Sequence, residues 1–227
     1  MEFSIALALV LLPTLILSTT SVAANELTSY GLQVNDQGQL VKDGKQYQGI
    51  GVNYFDAFIR VLVDARDVSY KDGFRMLRDY EIPFVRFSAG GYWPIHWQLY
   101  RQDKESYFRL LDDVVRSAEE NNIGLIPSFF WHHPTVGDLV GEPRSKFSDP
   151  QSASNEFIRT YTREVVSRYK DSPAIWGWEF GNEGNLDADL PNARDWRPPI
   201  VPHWGTPATR SELDDLTHDA LRTAYTV

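Results

Sequence analysis

Lys104-Glu105-Ser106-Tyr107-Phe108-Arg109-Leu110-Leu111-Asp112-Asp113-Val114-Val115-Arg116-Ser117-Ala118-Glu119-Glu120-Asn121, then Asn122, then Ile123-Gly124-Leu125-Ile126-Pro127-Ser128-Phe129-Phe130: this stretch decides the fold class. Phe108, Leu111, Val114, Val115 and Ala118 recur at helical spacing among charged residues, which predicts an amphipathic helix over 104–121. Asn121-Asn122 is a turn. Ile123 to Phe130 is then apolar along nearly its whole length rather than at every second position. A strand of that kind is covered on both faces, as in a parallel sheet layered with helices.

The same pairing repeats outward in both directions. Tyr70 to Tyr80 reads as a helix through Phe74, Met76 and Leu77, with Asp67 or Ser69 as N-cap, and Pro83 to Ser88 as the strand after it. Downstream, Ser152 to Tyr169 is helical through Phe157, Ile158, Tyr161, Val165 and Val166, and Ala174 to Gly181 is the next strand. Ser211 to Tyr225 reads as a last helix, with Ser211 and Asp214 as a capping box. Upstream, Gln48 to Tyr54 is a buried-strand candidate, preceded over Gly31 to Gln48 by a small hairpin meander with turns at Asn35-Asp36-Gln37-Gly38 and Lys42-Asp43-Gly44. The order is strand then helix, four times over, which makes the chain α/β. Connections from helix to strand are short (Tyr80-Glu81-Ile82, Asn121-Asn122, Lys170-Asp171-Ser172). Those from strand to helix are long and carry Trp, His, Pro and Asp. That asymmetry predicts a (β/α)8 TIM-barrel type of fold, with about the first four units present and the active site on the long loops. The alternative is a doubly wound sheet, but Gly49-Ile50-Gly51 lies before its strand's end rather than after it.

Composition narrows the function classes. A net charge of -9 with no clustered Lys and Arg argues against nucleic acid. There is no cysteine, hence no disulfide and no thiolate metal site. Seven Trp, eleven Tyr and twelve Phe are a large aromatic set, most of it expected in the core. Ile5 to Leu17 is apolar and is followed by Ser18-Thr19-Thr20-Ser21 and by small residues through Ala24. Residues 1–24 therefore read as a cleaved export signal, although Glu2 stands where a basic residue is usual. The expectation is a secreted, extracellular or periplasmic domain over residues 25–227, with no stable membrane association once the signal is removed.

The chemistry is carried by Ser172-Pro173-Ala174-Ile175-Trp176-Gly177-Trp178-Glu179-Phe180-Gly181-Asn182-Glu183. Here an Asn-Glu pair stands where a buried strand meets its active-site loop. A carboxyl at a strand tip, walled by aromatic rings, is one that burial keeps protonated, ready to donate to a departing glycosidic oxygen. The bland alternative is that Asn182 caps a turn and Glu183 is solvated.

This segment resembles the fourth-strand signature of retaining β-glycosidases in the cellulase and β-mannanase superfamily, family 5 glycoside hydrolases in particular. Gly51-Val52-Asn53-Tyr54 looks like that family's first strand, Arg86 falls where the family keeps an arginine on strand two, and Trp131-His132-His133 follows strand three. The resemblance covers about residues 30–227. It implies Glu183 as acid/base, Asn182 on the sugar 2-hydroxyl, Arg86 orienting the carboxylates, and His132 or His133 beside the cleaved bond. Arg86 can also form a structural ion pair with Glu179, and both roles can hold at once; helix or loop packing is an equally good reading of either histidine. Trp93, Trp131, Trp196 and Trp204 lie in strand-to-helix loops and are better sugar-stacking candidates than Trp176 or Trp178. No cofactor or metal is implied; a site from His132, His133 and Glu142 lacks tight ligand spacing.

A retaining enzyme needs a second carboxylate ~5–5.5 Å from the first. In the resembled family it stands at the end of strand seven, beyond the four units read here, so it has no counterpart in this sequence. Asp56 and Asp187 are the local carboxylates, both better read as turn residues. The substrate expected is a β-linked polysaccharide of mannan or glucan type. Three explanations fit the missing strands: a fragment of a longer reading frame, a half-barrel that self-associates through its open edges, or a homologue that binds glycans without cleaving them.

Overall fold

The computed structural model describes residues 31–183, and its sheet order follows the chain. First comes an antiparallel meander of β1 (Gln33–Val34), β2 (Leu40–Lys42) and β3 (Lys45–Gln46). Asn35 closes its first turn by accepting the N–H groups of Gln37 and Gln39. Asp43 and Gly44, both with positive φ, make the two-residue turn between β2 and β3. Then β4 (Val52–Asn53), β5 (Phe84–Ser88), β6 (Gly124–Phe130) and β7 (Glu179–Gly181) form a parallel four-stranded sheet in that order.

Helices separate the strands, as a partial barrel of this class requires. They are α1 (Ile59–Val63), α2 (Tyr70–Asp79), α3 (Gln98–Gln102), α4 (Lys104–Glu120), α5 (Thr135–Val140) and α6 (Ala153–Tyr169). The three long helices fall within one residue of their predicted ends. Asp103 caps α4 by accepting from Ser106 N, and Ser152 caps α6 by accepting from Asn155 N. Ser69 occupies the cap position of α2 but makes no capping bond. Its N–H and hydroxyl are both taken by Asp67. The short helices α1, α3 and α5 lie in loops where the sequence predicts none. With five or six residues each, they show no periodicity to read.

Two predicted strands are shorter in the structure. The run 48–54 pairs only at Val52↔Val85 and Asn53↔Arg86, and Ile50 is 82% exposed. Among the described residues β4 has a single neighbour, so the rest of the run has no ladder to join. The run 174–181 is broken: an isolated bridge joins Leu125 to Ile175, and pairing resumes at Ser128↔Glu179. Between those two pairs β6 advances three residues and the fourth strand four. One extra residue is thus accommodated at Gly177-Trp178, a bulge.

Helix α4 is fixed from both sides by adjacent carboxylates. Asp112 accepts Arg168 Nε at 2.6 Å and the Tyr169 hydroxyl at 2.9 Å from α6. Asp113 accepts the Tyr70 hydroxyl and pairs with Lys71 at 2.7 Å from α2. Burial works to raise both carboxyls, but these bonds and charges outweigh it and hold both below the ordinary range.

The amino end of the sheet is closed around Trp176. Its ring meets Tyr47 edge-on at 5.5 Å, Phe84 at 5.7 Å and the Lys42 ammonium at 4.9 Å. Leu32 N donates to Trp176 O, tying the meander beneath the sheet. Gly31 permits that approach: its φ is +85°, and a Cβ there would lie 2.8 Å from Ile175 O.

Residues 1–24 and the predicted helix at 211–225 lie outside the described residues. No helix among those described is long and apolar enough to cross a membrane.

Candidate active site

At the carboxyl end of the sheet a chain of polar contacts crosses three strands. Arg86 on β5 reaches over β6 to donate Nε to Glu179 Oε2 at 2.7 Å, the ion pair the sequence allows for. Its Nη2 donates to Asn182 Oδ1 at 3.0 Å. The Asn182 amide then donates to Glu183 Oε2 at 2.9 Å. The Arg86 guanidinium also lies 3.9 Å from the centroid of the Trp131 ring. Arg86, Glu179, Asn182, Glu183 and Trp131 are therefore brought together.

Two features of Glu183 differ from expectation. Its backbone is left-handed, φ +46°, which is uncommon for a residue with a Cβ. Its side chain is exposed, so the wall of aromatic rings predicted to bury it is not formed by the described residues. Its charge is felt at Tyr92, whose hydroxyl is pushed up first by burial and then by Glu183.

Beside this network is a pocket of about 340 Å³ lined by Phe55, Ile59, Tyr92, Trp93, His96 and Trp131. Phe55 meets Tyr92 at 5.4 Å and Trp131 at 5.0 Å, both edge-on. The loop that carries Tyr92 and Trp93 is set by close packing. A Cβ on Gly90 would lie 2.4 Å from Phe129 O, and one on Gly91 would lie 2.7 Å from the Trp97 ring. Tyr161 and Tyr107, themselves 2.8 Å apart, hold Ala89 O just upstream.

The two histidines separate. His132 stacks on Tyr92 at 4.8 Å, 15° from parallel, and faces Trp93 at 5.2 Å, so it backs the pocket wall. His133 is buried, 3% exposed, between Phe147 and Phe180. Glu142 caps α6 by accepting Ala153 N and Ser154 N, so His132, His133 and Glu142 serve three separate purposes. Among the described residues no group of three His, Cys, Asp or Glu is placed to hold a metal ion. Asp56 is paired at 2.7 Å with Arg60 of α1. Trp204, Trp196 and Asp187 lie outside the described residues. Trp176 closes the amino end, and Trp178 stacks on Phe129 at 5.5 Å.

Sequence reasoning missed Phe55, Tyr92 and His96. Tyr92 directly precedes Trp93 in a strand-to-helix loop, the signal that singled out its neighbour. His96 is recognisable only once the loop has turned back on itself.

Known proteins match both levels. In sequence, the chain is 37% identical over 97 residues to a probable mannan endo-1,4-β-mannosidase A-1 of Aspergillus terreus, covering 38% of this chain and 24% of that protein. A probable mannan endo-1,4-β-mannosidase A of Aspergillus niger is 28% identical over 166 residues, covering 64% and 42%. In structure, a family 5 mannosidase of Rhizomucor miehei, solved as a glutamate-to-alanine mutant with mannosyl-fructose, superimposes with a TM-score of 0.56 at 14% identity, covering 87% of this chain and 54% of that one. A family 5 enzyme from Bifidobacterium longum, solved with Manβ1-4GlcNAc, gives 0.56 at 20% identity, covering 78% and 41%. The described residues form part of a (β/α)8 barrel of the kind these two structures share. The chain spans less than half the length of the curated relatives it matches. No protein-family model matches it.

Proposed function

We propose that this chain supplies the acid/base side of an exported, retaining hydrolase of β-linked polysaccharide, of mannan rather than glucan type. The observation that carries the reading is the unbroken chain from Arg86 through Asn182 to Glu183 at the carboxyl end of a parallel sheet, backed by an aromatic pocket. The sequence likeness to mannan endo-1,4-β-mannosidases supports mannan as the sugar.

In this reading Glu183 donates its proton to the glycosidic oxygen as the bond to the anomeric carbon breaks. A carboxylate on the opposite face bonds to that carbon. Glu183 then takes a proton from the water that releases the sugar. Arg86 holds Asn182 so that its amide can serve both Glu183 and the 2-hydroxyl of the ring. The attacking carboxylate is assigned to no described residue. Export rests on residues 1–24 of the sequence.

The test is release of reducing sugar from β-mannan and cleavage of an aryl β-mannoside by the purified chain and its Glu183→Ala variant. General acid catalysis contributes roughly 10²–10⁴-fold, so the variant is expected to lose at least that factor. Equal turnover by both proteins sinks the assignment. Mannan binding without turnover in either supports the glycan-binding homologue instead.

A further inference from the structure

We infer that the pocket beside Glu183 is a subsite for one pyranose ring of the substrate, in which His96 donates its Nε2–H to a sugar hydroxyl. The inference rests on the glycoside-hydrolase reading and deepens it, naming a recognition residue that the fourth-strand motif does not contain.

His96 lies on the short helical turn Pro94–Trp97, whose fixed proline at the first position starts the turn. Its ring folds back so that Nδ1 lies 3.3 Å from both Tyr92 N and Trp93 N. Both of those atoms are donors, so Nδ1 must accept, and an accepting imidazole nitrogen carries no proton. The neutral ring then holds its hydrogen on Nε2. Burial disfavours the imidazolium, lowering the pKa and keeping this tautomer in place.

His96 lines the pocket with Phe55, Tyr92, Trp93 and Trp131. Among the described residues Nε2 has no hydrogen-bond partner, yet it is not one of the sealed polar atoms. It is a fixed donor open to whatever enters.

About 340 Å³ lies at the lower end of the ~300–1,000 Å³ of small-ligand pockets, suiting one ring rather than a chain. Largely aromatic walls with a fixed polar donor match a pyranose, whose C–H faces are apolar and whose hydroxyls lie round its edge. Trp131 forms one wall and also carries the Arg86 guanidinium, so the pocket adjoins the acid/base chain. A ring seated there belongs to the same oligosaccharide as the ring at Glu183.

Calorimetry and Trp fluorescence with β-1,4-mannotriose, on the Glu183→Gln chain to stop turnover, provide the test. Adding His96→Phe, which fills the space but removes both the acceptor and the donor, is expected to weaken mannotriose binding about tenfold. Because that substitution also releases the Tyr92-Trp93 loop, a second readout uses the unsubstituted His96. Its Nε2–H resonance, in a ¹⁵N-histidine-labelled chain, is expected to shift on adding mannotriose while Nδ1 keeps its unprotonated signature. Undiminished affinity in a folded His96→Phe protein, or an Nε2 resonance unmoved at saturation, overturns the subsite and leaves the hydrolase reading standing. A folded Glu183→Gln chain that binds neither mannotriose nor cellotriose overturns both.

Discussion

The two ends of the parallel sheet are built from different materials. At the amino end Trp176, Tyr47, Phe84 and Gly31 fit against one another with backbone atoms almost touching, and the Lys42 ammonium lies over the ring. At the carboxyl end Arg86 is strung between two side chains, Glu183 is exposed in a left-handed conformation, and an open pocket stands alongside. Close packing contributes stability and needs no particular chemistry. Polar groups held open contribute chemistry at some cost in stability. The contrast teaches that in this chain the lower end is the foundation and the upper end the tool.

Substitutions can break that contrast or sharpen it. The largest effect on stability is expected below. Trp176→Ala removes a ring packed on three neighbours and should cost ~3–5 kcal/mol in denaturant unfolding. A loss under about 1 kcal/mol would mean the lower end is not the foundation. Above, Arg86→Met keeps the stem but leaves Glu179 and Asn182 without their donor. A loss of ~1.5–3 kcal/mol is expected, together with a fall in mannan turnover larger than that stability change explains. Parallel losses would make Arg86 a structural residue only.

The smallest effect is expected midway along α4, where Asp112 and Asp113 face α6 and α2. Their carboxyls titrate lower in the folded chain than in the unfolded one, so unfolding takes up protons as acidity rises. The stability they contribute is present above the ordinary carboxylate range, near pH ~4, and fades as pH falls through the lowered folded values. Asp112→Asn should flatten that part of the stability–pH curve by roughly 0.2–1 kcal/mol, since the Arg168 side chain is about half in solvent. An unchanged curve would show that the pair is idle.

How much of this was legible in the chain depends on what kind of signal each part leaves. The long helices and the β5–β6 pair announce themselves, because amphipathic periodicity and a doubly covered strand both follow from which faces meet apolar neighbours. The meander was legible from its turn residues, Asn35 to Gly38 and Asp43-Gly44. Strand ends were not, because β4 is only as long as its pairing with β5, two residues, and no local sequence encodes that. The Arg86–Glu179 pair could be guessed from two strand-borne charges in a run of apolar residues. The pocket could not, since Phe55 converges from one loop and Tyr92 and His96 from another, whose path is set by glycine packing at 90 and 91. His132 and His133 are adjacent in sequence and serve opposite purposes, one at the pocket wall and one in the core.

The extra residue at Gly177-Trp178 has a consequence for how this chain tolerates change. Side chains along a strand keep a period of two, so one inserted residue shifts the phase of everything after it. Below Gly177 the strand is in step with Leu125; above it, it is in step with Ser128 one count later. Deleting either Gly177 or Trp178 would restore an even ladder, three steps on each strand, with Ile175 still opposite Leu125 and Glu179 still opposite Ser128, so the tip should keep its place against Arg86 while the bulge is lost. The strand's aromatic base and its acid tip are thus written in two different frames, with the change of frame placed between Trp176 and Glu179.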